Sequence, residues 1–337
     1  MNYLDCLNDE EVMAQRELHM KQLNRLFEGP PKASQPFYLD ACLGRSSVDL
    51  YLEPENWVED CLRDLARQCE ENLRRGRYCP LILMGKPYSV HFTDCIFGAE
   101  VFFSQSSGEW YNKPFQTPAG SLKKPVLEES EAWNLAKRIA KAFRDSGVKA
   151  PYFSMTTIAS PLNVLLNLYG SDVLVDLLLE PEAVRRDLDV ITQAQVDMHQ
   201  WYAENIEEDQ LQCTTAVIRM QPPGFSQLCG CSTQLISSDL YASMILPYDH
   251  RILKAHKYGG MIHLCGSHLQ HLETFCNMEA LRALQLNDQA ADDLDGYVAG
   301  LRKDQVLYVR PTKRMTAERI REICSGRPVV ITSDIQW

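Results

Sequence analysis

In the octet Gly259-Gly260-Met261-Ile262-His263-Leu264-Cys265-Gly266, an imidazole and a thiol stand two residues apart in an apolar run that ends in glycine. A short apolar run bounded by glycines fits a buried strand, and residues i and i+2 of a strand project to one face. His263 and Cys265 are therefore predicted to face the same way. A borderline-soft ion such as Zn²⁺ takes imidazole nitrogen and thiolate sulfur together, so the pair can supply two metal ligands. Packing is the other account: a His and a Cys buried at a strand end, the ring satisfied by a backbone carbonyl. His268 and His271 follow at i, i+3 spacing with Cys276 beyond them, either as extra ligands or as idle residues on the first turns of a helix.

Other chemistry-bearing residues are more isolated. Cys229-Gly230-Cys231 is too short for a C-x-x-C redox motif. Placed in a Gly/Ser-rich loop, it offers a thiol pair on the substrate side, with Cys229 a candidate contact. Arg219, shortly before Pro222-Pro223-Gly224, offers a cation to an anionic substrate group, or else a surface charge. Residues 103–124 are rich in Ser, Gly, Gln, Lys and Pro without a strong period, which reads as a loop or a β-hairpin. Trp110, Tyr111 and Phe115 within it line a substrate pocket or cover an apolar rim.

The elements that must position these residues alternate. Helical spacing covers 8–27 and 56–75, and a short apolar piece at 37–40 reads as a strand. Beyond Gly76, candidate strands are 80–84, 150–154, 214–220, 260–264, 283–286, 305–309 and 328–332. Candidate helices are 129–146, 161–179, 182–205, 238–258, 267–276 and 316–325. Such alternation implies βα units and a parallel sheet. The tally of about eight strands predicts an α/β fold of the (β/α)8 TIM-type barrel, in which strand C-termini face the catalytic mouth. An open doubly wound sheet is disfavoured, because no G-x-G-x-x-G follows the first strand of a unit. The expected division is a helical extension over 1–76 packed on a barrel over 77–337.

Composition sets bounds. A net charge of −11 argues against non-specific nucleic-acid binding, which relies on clustered cations. The N-terminal residues are charged from Asp5 onward and no run approaches the ~20 apolar residues of a membrane span, so a cytoplasmic protein is expected. The 12 cysteines are scattered along a chain long enough to have a core, which points to reduced, mostly buried thiols.

From about Phe92 to Thr332 the chain resembles the uroporphyrinogen decarboxylase superfamily. The matching stretches are His91-Phe92-Thr93-Asp94, Ala159-Ser160-Pro161-Leu162-Asn163 and 174–182 with its Leu-Leu-Leu-Glu-Pro-Glu ending. They continue with Leu235-Ile236-Ser237-Ser238-Asp239-Leu240-Tyr241, Ile245-Leu246-Pro247-Tyr248 and Ile262-His263-Leu264-Cys265-Gly266. Asp94 falls where the decarboxylases place an Asp that contacts pyrrole nitrogens, but their R-Q-A-G-R stretch is missing. Porphyrinogen carboxylates would lack their charge-assisted partners. The resemblance is closer to the zinc-dependent methyltransferases that act on methylcobamides, whose H-x-C motif supplies two zinc ligands. It implies zinc at His263 and Cys265, with an acceptor thiol held as thiolate and the methyl arriving on a corrinoid. Members usually add a Cys from an S-P-G-C-G-like segment after the last strand; here that end has none. Asp288, after the strand that follows the H-x-C pair, and Asp334, near the C-terminus, are the candidates to complete the set.

Three functions compete on these grounds. A corrinoid-linked methyltransferase comes first, with a small-molecule methyl acceptor, a separate corrinoid-binding protein and a homodimer as expected partners. A decarboxylase or lyase would use Asp94 with Tyr88 or His91 as acid and base. A non-catalytic barrel would bind a corrinoid or tetrapyrrole.

Overall fold

The computed structural model describes residues 2–28, 35–213 and 219–332. Its strands are β1 (Phe37–Leu39), β2 (Cys42–Leu43), β3 (Leu81–Met84), β4 (Val101–Ser104), β5 (Glu109–Asn112) and β6 (Tyr152–Ser154). They continue as β7 (Leu211–Gln212), β8 (Ser226–Cys229), β9 (Gly260–Leu264), β10 (Leu281–Leu286), β11 (Val306–Val309) and β12 (Val329–Thr332). One parallel sheet has the order β1-β12-β11-β10-β9-β8 and a second the order β2-β3-β6-β7; β4 and β5 pair as an antiparallel hairpin.

The α/β class with parallel strands is as the alternating pattern predicts. Among the described residues, however, the ladders form two sheets and not one closed ring. The sheets meet at β1 and β2, which are separated by only Asp40 and Ala41. On the other side β7 has two residues, and most of the strand expected over 214–220 lies outside the described residues. A bridge between Ala159 and Cys229 links the loop after β6 to the end of β8. The first 76 residues hold the expected helices, Glu10–Asn24 and Pro54–Arg74, and also contribute β1 and β2.

Strands buried on both faces read as continuous apolar runs, as β11 and β12 do. Their two faces enter different cores. Ile262, Leu264, Leu284, Leu286, Leu307 and Val309 join the large core shared with the helices. Leu39, Ile82, Tyr152, Met261, Ala283, Tyr308 and Val330 pack together on the other face, where Met20, Leu23 and Phe27 of the N-terminal segment cover them. The register pairs Ala283 with Met261 and Gln285 with His263, so the chemistry-bearing residues of β9 and β10 share the face of this second core.

Two predicted helices are broken, each for a local reason. Gly170, with φ of +77°, ends Pro161–Tyr169 before Val173–Leu179 begins, and the two cross at 114°. In 238–258, Pro247 has no N–H for the carbonyl of Ser243. The chain widens into a π-helical turn, Tyr241–Ile245, and Arg185 Nη2 donates to the freed Ser243 carbonyl at 3.2 Å. Among the described residues, no single helix is long and apolar enough to cross a membrane.

Candidate metal centre

β9 holds His263 next to its C-terminal end, and Cys265 follows one residue past it. On the neighbouring strand Cys229 pairs in register with His263. The ladder continues past β8 through Gly230 N–H donating to the His263 carbonyl at 2.9 Å. Cys231 is thereby delivered beside Cys265. Its Sγ lies 3.4 Å from that of Cys265, which is itself 3.0 Å from His263 Nε2. These three ligand atoms all fall within 4.8 Å of one another. Glycines permit the approach: a Cβ on Gly230 would meet Ile262 Cγ2 at 2.8 Å, and one on Gly266 would collide with the Gln234 side-chain amide.

A shell of polar groups holds the three in place. His263 Nδ1 donates to Gln285 Oε1, and Gln285 Nε2 donates in turn to Asn287 Oδ1. With Nδ1 committed as a donor, Nε2 carries the free lone pair that a metal takes. His268 lies between the two cysteine-bearing loops: Nδ1 is 2.7 Å from the Gly266 carbonyl and Nε2 3.2 Å from that of Gly230, and the neutral ring donates to one of them. His271 Nε2 donates to the Thr233 carbonyl at 2.9 Å, and its ring packs on Tyr241. Neither residue is exposed and idle: both are fully buried and act as positioning residues.

The electrostatics favour a thiolate and a neutral ring. The Cys265 thiol is drawn down to about 4, first by the adjoining Cys231, then by His263 and the Arg219 charge, against the opposite push of burial. Cys231 is pushed up in return, so one proton is shared unequally between two sulfurs. His263 is lowered by burial and then by Arg219. Arg219 is buried, and its Nη1 donates to Cys229 Sγ at 3.4 Å. Lys86, half-buried overall but with its ammonium sequestered, is lowered well below the usual lysine range by burial and then by Arg219.

This donor set fits zinc. Bonds of about 2.3 Å to sulfur and 2.0–2.1 Å to nitrogen at tetrahedral angles give edges of about 3.8 Å for S···S and about 3.6 Å for N···S. The Cys231–Cys265 and His263–Cys265 separations lie within about 0.6 Å of those values, a distance side-chain rotation can supply, and the third pair falls within 4.8 Å.

The remaining candidates fall into separate places. Asp288 is exposed at φ +48° as the first residue of Asp288–Asp292, and its carboxylate does not join the three converging ligand atoms. Asp334 lies outside the described residues. Cys229 closes β8 as a buried strand residue, where a loop was expected. Asp94 is fully buried; its Oδ2 is 2.7 Å from His91 Nδ1 and accepts from Asn167 Nδ2 at 2.8 Å. Tyr88 joins Tyr51 and Trp110 in an aromatic cluster, with ring centroids 5.2 and 5.3 Å from its own. Trp110 sits on β5 of the hairpin, against Phe103 of β4. The sequence reading placed Cys231 in a substrate-side thiol pair and not among the metal ligands, and it missed Gln285 and Lys86. The alternation of 283, 285 and 287 on one face was the available signal for Gln285.

No protein-family model matches the sequence, and no curated protein does. Among solved structures, the fold is similar to that of a methyltransferase from Methanosarcina mazei, with a TM-score of 0.64 over 94% of this chain and 92% of that one, at 11% identity. At that identity the similarity concerns the fold: the α/β arrangement of nearly the whole chain has a counterpart of known structure.

Proposed function

We propose that the chain is a corrinoid-linked methyltransferase on a (β/α)8-type scaffold, with zinc held by Cys231, His263 and Cys265. The carrying observation is the convergence of those three ligand atoms at the C-terminal end of β8 and β9. The likeness in fold to a methyltransferase supports the reaction class. Cys231 takes the place for which Asp288 and Asp334 were candidates.

When bound, zinc would keep an acceptor thiol as thiolate at neutral pH, and a methylcobamide on a partner protein would supply the methyl group. The chain's own residues set the charge balance. Two thiolates neutralise a divalent ion, and a third, from the acceptor, leaves one negative charge. Arg219, whose charge already acts on His263, Cys265 and Cys231, offsets it. Gln285 holds the imidazole in its ligating tautomer, and the buried His268 lies between the two cysteine-bearing loops.

The test is metal content together with conversion of methylcob(III)alamin to cob(I)alamin, followed by absorbance with a panel of thiols. The wild type should show thiol-dependent conversion, and C231S, H263A and C265S should each lose one zinc per chain and the conversion with it. Zinc-loaded wild type that demethylates nothing, or variants that retain full zinc and rate, would overturn the reading.

A further inference from the structure

A second group of nitrogen and sulfur atoms lies ahead of β9, towards the opposite end of that strand. His199 comes from the helix Pro181–Asn205, Cys213 follows β7 by one residue, and His256 lies between the helix Leu246–Leu253 and β9. His199 Nδ1 is 2.9 Å and Cys213 Sγ 3.0 Å from the same atom, His256 Nε2. All three ligand atoms fall within 4.8 Å of one another. His199 and Cys213 are buried.

Hydrogen bonding does not account for this convergence. A neutral imidazole nitrogen offers one in-plane site, either a proton or a lone pair. Two heteroatoms compete for that one site on His256 Nε2. A cation at the centre uses one lone pair from each member. Burial lowers His199 well below its ordinary range and His256 to about 4, so both rings are neutral, as ligation requires. A cavity of about 280 Å³, lined by Cys213, His256 and Glu208 among others, connects the group to solvent.

We propose that His199, Cys213 and His256 form a second transition-metal site of the zinc class, with its fourth position open to that cavity. Two imidazoles and one thiolate are a borderline-soft donor set, and three protein ligands with an accessible fourth position leave room for water or Glu208. The ion would clip the long helix to the end of β7 and to the approach of β9.

The experiment uses Co²⁺ as a spectroscopic probe in chelator-stripped protein. The C231S/C265S double variant, lacking both thiolates of the other cluster, should bind about one Co²⁺ per chain with a thiolate-to-cobalt charge-transfer band. Adding C213S should abolish the band, and adding H256Q should weaken binding by about a hundredfold or more. Since added substitutions in a core can prevent folding, a second measurement uses the wild type. Zn²⁺ should slow alkylation of Cys213, mapped by mass spectrometry, at least about tenfold. A double variant, folded by circular dichroism, that binds no cobalt would overturn the proposal. So would binding indifferent to C213S and H256Q, or a Cys213 alkylation rate unchanged by zinc.

Discussion

The two His/Cys clusters flank the same strand but are built in opposite ways. At the C-terminal end of β9, His263 and Cys265 share one strand face and Cys231 extends from the neighbouring β8, so ladder hydrogen bonds set the spacing. Ahead of β9, a helix, a strand end and a loop each give one residue, so tertiary packing alone sets it. Their charges differ too. The Cys265 thiol is drawn down by Cys231, then by His263 and Arg219, whereas the lone Cys213 is pushed up by burial. The first cluster is pre-organised for a cation; at the second the cation must displace a proton and fix three independent elements. Reaction chemistry suits the first arrangement and a structural clip suits the second.

The largest effect that separates them is ligand removal. H263A or C265S should reduce methyl transfer to background and lower zinc from about two to about one per chain, while H256Q leaves transfer within about threefold of wild type. Parallel metal analysis and kinetics check this. Transfer lost in H256Q with zinc retained at the other cluster would break the division of roles.

A polar strut between the clusters provides the next effect. Asp249, on the helix that leads to His256, accepts from Tyr241 Oη at 3.0 Å, and the Tyr241 ring packs tilted against His271, which anchors the Thr233 loop beside Cys231. Burial pushes the Asp249 carboxyl from 3.8 up to about 7. A carboxyl that binds its proton more tightly when folded stabilises the fold fully at low pH. That stability declines as pH rises from about 4 to about 7, by about 1.4 kcal/mol per pKa unit. D249N has no such slope, because its amide accepts from Tyr241 at every pH. Its Tm relative to wild type should therefore climb between pH 4.5 and 7.5, by scanning calorimetry. A constant difference would show that Asp249 is ionised throughout.

How legible each cluster was follows from the same contrast. His263 and Cys265 could be read because strand periodicity alone puts them on one face. Cys231 could not, since β8 is the four-residue Ser-Gln-Leu-Cys, too short and polar to stand out, and only its register with β9 delivers the thiol. His199 and Cys213 lie 57 and 43 positions from His256, beyond the reach of any local pattern. The parallel α/β class was legible from alternating apolar strands and helices. Ring closure was not, because short segments such as β7 leave pairing to be decided by tertiary contacts. The broken helices carried their cause in Gly170 and Pro247, but the apolar period ran through both. Asp288 was placed by likeness to a family pattern, and the backbone turns it to solvent.

The support of the Cys231/His263/Cys265 cluster can be weakened without touching a ligand. Q285A removes the acceptor for His263 Nδ1 and leaves the second cluster intact. Loss of such a partner costs about 10–100-fold in metal affinity. Zinc bound at the Cys231/His263/Cys265 cluster should exchange with a chelator that much faster, and Q285E, which keeps an acceptor in place, should restore it. Equal weakening at both clusters would mean that the substitution had loosened the sheet.

The smallest effect is expected at Asp94, where a third His contact has a different character. His91 and Asp94 are three residues apart across the junction of two short helices, and Asn167 closes the group. Burial raises the Asp94 carboxyl, against the opposing pull of His91 and Asn167, and Oδ1 has no hydrogen-bond partner among the described residues. Such a carboxyl could serve as a proton donor in a lyase. In the methyl transfer proposed above it would have no proton to move; through Asn167 it links the helix Pro161–Tyr169 to Phe92–Ile96. D94N keeps the size and most of the bonding, so transfer should fall by less than about tenfold and zinc content should not change. Turnover abolished in D94N but retained in C265S would move the reaction from the His/Cys cluster to this carboxyl.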